Sequence, residues 1–247
     1  MGLLYYSRMR LTQQLLPLLQ NATSVCHVVS VADGACEGKL FLDDIPLHQL
    51  TLPKFEAQPD TSSLGLMDIY MVLKVVGHAS TVLTLGLEAL AQRAPNVSFV
   101  HTHPGTVATP TIDRLGGVVG VVLRIVTYLF GRWICVPIEE SGQRHLFFAT
   151  SDRYKASGDT GTDGVALHQD VDEAVDIYGT RGGGVYSIIW DGECADEKIQ
   201  QMLRTYEMRE WWRKYGGGHK TISGRSVKLV QRCKINGSLV ENIIVYI

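Results

Sequence analysis

Tyr70 and Lys74 stand four residues apart in Tyr70-Met71-Val72-Leu73-Lys74, and on a helix that spacing sets both side chains on one face. A phenol has an ordinary pKa of about 10. To exchange a proton with a carbonyl or alcohol oxygen near neutrality it needs a neighbour that favours the phenolate, and an ammonium is such a neighbour. The chemistry expected of this pair is proton transfer during carbonyl reduction or alcohol oxidation. The spacing alone recurs by chance, so the surrounding elements have to decide.

Other residue types with chemical potential are less well supported. His101-Thr102-His103 can place two imidazoles on one strand face, but no third ligand accompanies them and no metal is assigned. Ser30, Asp33 and His78 contain the groups of a hydrolytic triad without the strand-turn-helix setting that exposes a nucleophilic serine.

The elements that must position Tyr70 and Lys74 follow from periodicity. Leu4, Leu11, Leu15, Leu18 and Leu19 recur among arginines and glutamines at amphipathic-helix spacing over residues 3–20. Val25 to Ala32 is a short apolar, β-branched run stopped by Asp33-Gly34, the pattern of a buried strand. Residues 34–66 carry too many glycines and prolines for a long element and read as an irregular excursion. Met67 to Arg93 is helical and ends before Pro95, Val97 to His101 is a second strand leaving through Pro104-Gly105, and Gly184 to Trp190 is a third.

Gly182-Gly183-Gly184 precedes a strand rather than opening a helix, so it reads as a tight turn and not a phosphate cradle. Strand and helix in alternation predict an α/β fold, a partial Rossmann-type parallel sheet with right-handed crossovers. Its Val25 to Ala32 strand is expected to leave an edge open, a site for pairing with another chain in an oligomer or for aggregation.

Leu115 to Val136 is apolar apart from Arg124, Thr127, Arg132 and its glycines. Two arginines and the flanking breakers argue against a bilayer span. A lid or core helix over an apolar substrate is the first reading, and peripheral contact with a membrane surface through 115–136 the second. The last forty residues change character: aromatics, charges and glycines mix without period around Trp211-Trp212. Val227 to Ile247 then reads as two strands about Asn236-Gly237, a strong hairpin signal.

With 247 residues, 45% of them hydrophobic, the chain can bury a substantial core. A formal charge of -2 with the two signs interspersed gives no basic stripe, which argues against nucleic acid as a partner. Five scattered cysteines suggest neither a zinc site nor a disulfide framework and fit a reduced, cytoplasmic setting.

Several linked stretches resemble one family. They are Tyr5-Tyr6-Ser7-Arg8-Met9-Arg10 through Leu19, Val28-Val29-Ser30-Val31, Gly77-His78-Ala79-Ser80-Thr81 through Ala91, and Pro104-Gly105-Thr106-Val107-Ala108-Thr109. They continue with Glu139-Glu140-Ser141-Gly142-Gln143-Arg144-His145 and Gly183-Gly184-Val185-Tyr186-Ser187. In this order the chain resembles the short-chain dehydrogenase/reductase superfamily, in particular the divergent branch common in filamentous fungi, over residues 4–204.

The resemblance implies hydride transfer between NADP or NAD and a carbonyl or alcohol carbon of a small apolar substrate, such as a polyketide or terpenoid intermediate of secondary metabolism. Tyr70 and Lys74 would be catalytic, and Lys74, Pro104, Gly105 and Thr109 would hold the cofactor. The family's serine is replaced by Asp33 and its asparagine by Leu4. The glycine-rich turn that receives a pyrophosphate would precede the first strand, so residues 1–204 are expected to be a partial domain, N-terminally truncated and lacking the dinucleotide-binding unit, followed by an atypical tail at 205–247. These departures support a competing expectation of a catalytically inactive homologue or a binding partner of a full-length relative.

Overall fold

The structure is a computed structural model that describes residues 1–22, 24–48, 66–107, 117–158, 164–206, 233–235, 238–240 and 243–246. A single π-helical turn, Gly2–Tyr6, runs straight into α1, Ser7–Gln20. Strand β1 (Cys26–Val31), helix α2 (Leu66–Ala91) and strand β2 (Ser98–Thr102) follow. Helices α3 (Gly117–Ile134) and α4 (Ile138–Thr150) come next, then β3 (Val185–Ile188) and α5 (Glu197–Arg204). Three short strands end the chain, β4 (Cys233–Ile235), β5 (Ser238–Val240) and β6 (Ile243–Tyr246).

The sheet is parallel, as its alternating pattern predicts, in the order β3-β2-β1-β6. Strands β1, β2 and β3 are buried on both faces, so they read as continuous apolar runs rather than alternating ones. Parity sorts the side chains. Cys26, Val28, Phe99 and Val185 join the core formed with α1 and α2, where Leu19, Leu83, Leu87 and Leu90 are sealed from water. Val29, Val100, Tyr186 and Ile188 pack on the opposite face against Phe148 of α4 and Tyr154. There Tyr154 sets its ring edge-on to those of Phe148 and Tyr186, with centroids 5.8 and 5.4 Å away, a favoured aromatic geometry.

Helix α2 includes a segment, Tyr70–Ala91, long and apolar enough to cross a membrane, but 61% of its most apolar window is buried against the sheet. It is the core helix of this face.

Three expectations are corrected. The edge of β1 is not open: β6 lies along it in parallel register, Cys26 opposite Ile243 and Val29 opposite Tyr246. Among the described residues the end of the chain forms three strands rather than two. The expected hairpin is present as the antiparallel β4-β5 pair, whose register sets Ile235 opposite Ser238, while Asn236 and Gly237 lie outside the described residues. Finally, α3 is not a core helix, because Val122, Leu129 and Trp133 are exposed. Periodicity detects a helix without telling which way its apolar face is turned.

The glycine run before β3 is a turn. Gly182 and Gly184 have φ of 67° and 87°, and a Cβ on Gly183 would meet the Asp176 carboxylate.

Candidate active site at the carboxyl edge of the sheet

In open parallel sheets, ligands bind beyond the carboxyl ends of the strands, where the loops diverge. Here β1 leaves through Asp33–Gly38, β2 through His103–Val107 and β3 through Ile189–Cys194. Helix α2 descends from the same edge. The short link from Ala91 to Ser98 puts its end at the start of β2, so its beginning stands at the opposite, carboxyl side.

The level at which α2 meets the edge is fixed by two glycines. The backbones of Gly38 and Gly77 touch, Gly38 N donating to Gly77 O at 2.9 Å, and a Cβ on either would lie 3.0 Å from the other's Cα. Thr81 Oγ1 donates to Gly38 O at 2.6 Å, and Ser80 Oγ donates to Asp33 O at 2.6 Å. At a rise of about 1.5 Å per residue, Lys74 and Tyr70 therefore project roughly 5 and 10 Å beyond this crossing.

The pair does meet. Lys74 Nζ stands 4.3 Å from the centroid of the Tyr70 ring, over its face, and Tyr70 is 51% exposed. The helix has brought ammonium and phenol together as the spacing requires, in a cation–π stack. Pro104 and Gly105 form a separate group on the β2 exit. Gly105 has φ of 75°, its N donates to His103 Nδ1 at 2.9 Å, and a Cβ there would lie 2.9 Å from Trp190 Cβ. Trp190 is held in turn by Arg144 of α4, whose guanidinium stacks 4.5 Å from its ring centroid and donates to its carbonyl at 3.2 Å. Thr109 lies outside the described residues.

Asp33, Ser30 and Leu4 take different surroundings. Ser30 points to the α1 face and accepts from Arg8 Nη1 at 3.2 Å, away from the carboxyl edge. Burial lowers the pKa of the Arg8 guanidinium, and the nearby Asp33 carboxylate counters that. Leu4 is exposed on the π-helical turn.

Beneath the edge lies a group that periodicity had no means of finding. Glu37 sits on the β1 exit with its side chain sealed from solvent. Its Oε1 accepts from Ser187 Oγ of β3 at 2.5 Å and from Thr84 Oγ1 of α2 at 2.6 Å, and lies 3.5 Å from His101 Nδ1 of β2. Burial pushes the carboxyl pKa upward. Hydrogen bonding to His101 and its charge, with the two hydroxyls, outweigh burial, and the net direction is downward. Thr84 and Ser187 lie 47 and 150 residues away in sequence, and no local pattern marks such a set.

His78 serves the same loop. Its Nδ1 accepts from Phe41 N at 3.1 Å, which leaves Nε2 as the donor to Ile45 O at 3.0 Å, and burial lowers its pKa.

Sequence comparison adds what the geometry does not supply. Its relatives are fungal oxidoreductases. An oxidoreductase of Emericella nidulans is 33% identical over 213 residues, covering 82% of this chain and 58% of its own length. An NmrA-like family domain-containing oxidoreductase of an Aspergillus species is 39% identical over 156 residues, 62% of this chain and 38% of its own. A short-chain dehydrogenase/reductase of Stachybotrys chartarum is 28% identical over 208 residues, 81% of this chain and 51% of its own. The chain spans about half the length of the curated relatives it matches. No family model matches it, and no solved structure does.

Proposed function

We propose that this chain provides the proton-transfer side of a nicotinamide-dependent oxidoreductase of the short-chain type, interconverting a carbonyl and an alcohol on a small apolar molecule. The observation that carries this reading is Lys74 stacked on Tyr70 beyond the carboxyl edge of a parallel sheet. The oxidoreductase relatives support it.

The donor set suits one end of such a cofactor. An exposed ammonium and a phenol hydroxyl are groups that bind ribose hydroxyls, and the turn at Pro104 and Gly105 offers backbone at the same edge. Among the described residues no glycine-rich turn opens a helix after a strand, so no residue is assigned to a pyrophosphate. NADP or NAD, when bound, supplies or accepts the hydride. Tyr70 donates its phenolic proton to the carbonyl oxygen during reduction, or takes a proton from the alcohol in the reverse direction. Lys74 would hold the cofactor's ribose, and Pro104, Gly105 and Thr109 are the further residues we assign to holding the cofactor. A polyketide or terpenoid intermediate of secondary metabolism is the substrate class we assign.

A second reading, a catalytically silent homologue that binds a full-length relative, is favoured by Asp33, whose carboxylate would oppose a developing negative charge on substrate oxygen. One experiment separates the two. Purified chain is titrated into NADPH and NADH with fluorescence detection, then assayed with a panel of apolar ketones and alcohols. The enzyme reading expects a fluorescence change, turnover, and loss of turnover with retained cofactor binding in Tyr70→Phe. No fluorescence change and no turnover would leave the second reading.

A further inference from the structure

Helix α3 reverses the usual arrangement of a globular protein. Among its described residues the half-buried positions are Thr127 and Gly131, and Cys135 just past its end continues their row at the same four-residue spacing; all three are small. The opposite row, Val122, Val126, Leu129 and Trp133 at i, i+4, i+7 and i+11, is bulky, apolar and exposed, with Trp133 78% open to solvent. Large side chains normally face the core and small ones tolerate water. Here the large ones face outward, and Val121, Ile125, Phe130 and Ile134 beside that row are exposed as well.

What covers that row is indicated by charge. No acidic residue occurs from Leu115 to Ile138, and the two charged groups in that stretch are Arg124 and Arg132. With Tyr128, 89% exposed, they form a row at i, i+4 and i+8 that flanks the apolar one. An apolar face carrying tryptophan and leucine, bordered by arginines and an amphipathic ring, matches the boundary between acyl chains and anionic headgroups, where arginines reach outward to phosphates. A lipid surface answers both rows at once.

The root of the helix is firm. Val136 N donates to Thr106 O at 2.8 Å, and Val136 bridges Val107 in parallel register, so both ends of the excursion 107–136 meet at the exit of β2. That root lies against the β2 exit, where a Cβ on Gly105 would stand 3.3 Å from Val136 Cγ2.

We infer that α3 lies in the interface of an anionic membrane, its Val122–Trp133 row inserted among acyl chains and Arg124 and Arg132 at the headgroups. The inference stands independently of hydride transfer.

The test is flotation of the purified chain with vesicles of phosphatidylcholine alone, or with phosphatidylserine as a minor component. The chain is expected to float with the anionic vesicles and to be released by high salt. Leu129→Glu with Trp133→Glu should abolish flotation while far-ultraviolet circular dichroism stays unchanged. Replacing Arg124 and Arg132 by Gln should weaken anionic binding about fivefold for each arginine lost. Three results would overturn the inference: chain remaining in the dense fraction with both vesicle types, flotation that survives the two glutamates, or a soluble dimer that the glutamates convert to monomer.

Discussion

Glu37 Oε1 and His101 Nδ1 lie 3.5 Å apart with both side chains fully removed from solvent. Thr84 Oγ1 stands between them, 2.6 Å from the carboxylate and 2.8 Å from the imidazole. Its single proton goes to Glu37, so His101 Nδ1 is the donor to Thr84. Through this chain of bonds one carboxylate ties the β1 exit to α2, β2 and β3. Removing one member of a buried ionisable set strands the others, at a cost of about 3 kcal/mol. Glu37→Ala is therefore expected to lower the unfolding free energy by about that amount, read from denaturant midpoints, with Glu37→Gln milder because its amide oxygen still accepts from both hydroxyls. A variant with unchanged midpoint would refute the bracing role.

The pH dependence follows in sign. His78 is buried neutral with its pKa lowered below the ordinary 6.5, and Glu37 is lowered below the ordinary 4.5. For both, the unfolded chain binds protons more readily than the folded one, so their contribution is present above those ordinary values and is lost as pH falls. The thermal midpoint should decline first below about pH 6.5 and again below about pH 4.5. The lower step should shrink in Glu37→Gln.

Gly105 combines a left-handed φ of 75° with an approach of 2.9 Å to Trp190 Cβ. A side chain there meets both penalties, of which the backbone part alone is about 1–2 kcal/mol. Gly105→Ala should destabilise by at least that much in a chemical denaturation series and should shift the fluorescence of Trp190. Wild-type stability with an unaltered spectrum would contradict this packing.

Tyr70 behaves oppositely. Half exposed and stacked on Lys74, it contributes little to the core, and Tyr70→Phe should leave the unfolding free energy within about 0.5 kcal/mol of wild type. Turnover, where a substrate is found, should fall by about 10²–10⁴ as expected for loss of a general acid. A variant that unfolds instead would assign Tyr70 to structure.

Strand β6 covers the edge of β1. Ending the chain after Tyr206 should bare a row of backbone donors and acceptors on an apolar strand, which templates pairing with other chains. Light scattering should detect association in the shortened protein and not in the full chain.

Much of the fold was legible in sequence. The apolar runs at Val25 to Ala32, Val97 to His101 and Gly184 to Trp190 each became a parallel strand within a residue or two, because a strand buried on both faces needs a β-branched run and glycine or proline at its ends. The four-residue spacing of Tyr70 and Lys74 was enough to bring them together, since that contact lies within one helix. The Glu37 cluster, the partner of the β1 edge and the outward turn of α3 were not legible. Each depends on residues far apart in sequence, and periodicity records which faces of an element differ without recording what each face meets. Local order follows from nearest neighbours along the chain. The burial of Glu37 among Thr84, His101 and Ser187, and the exposure of Trp133, were decided only when distant segments packed.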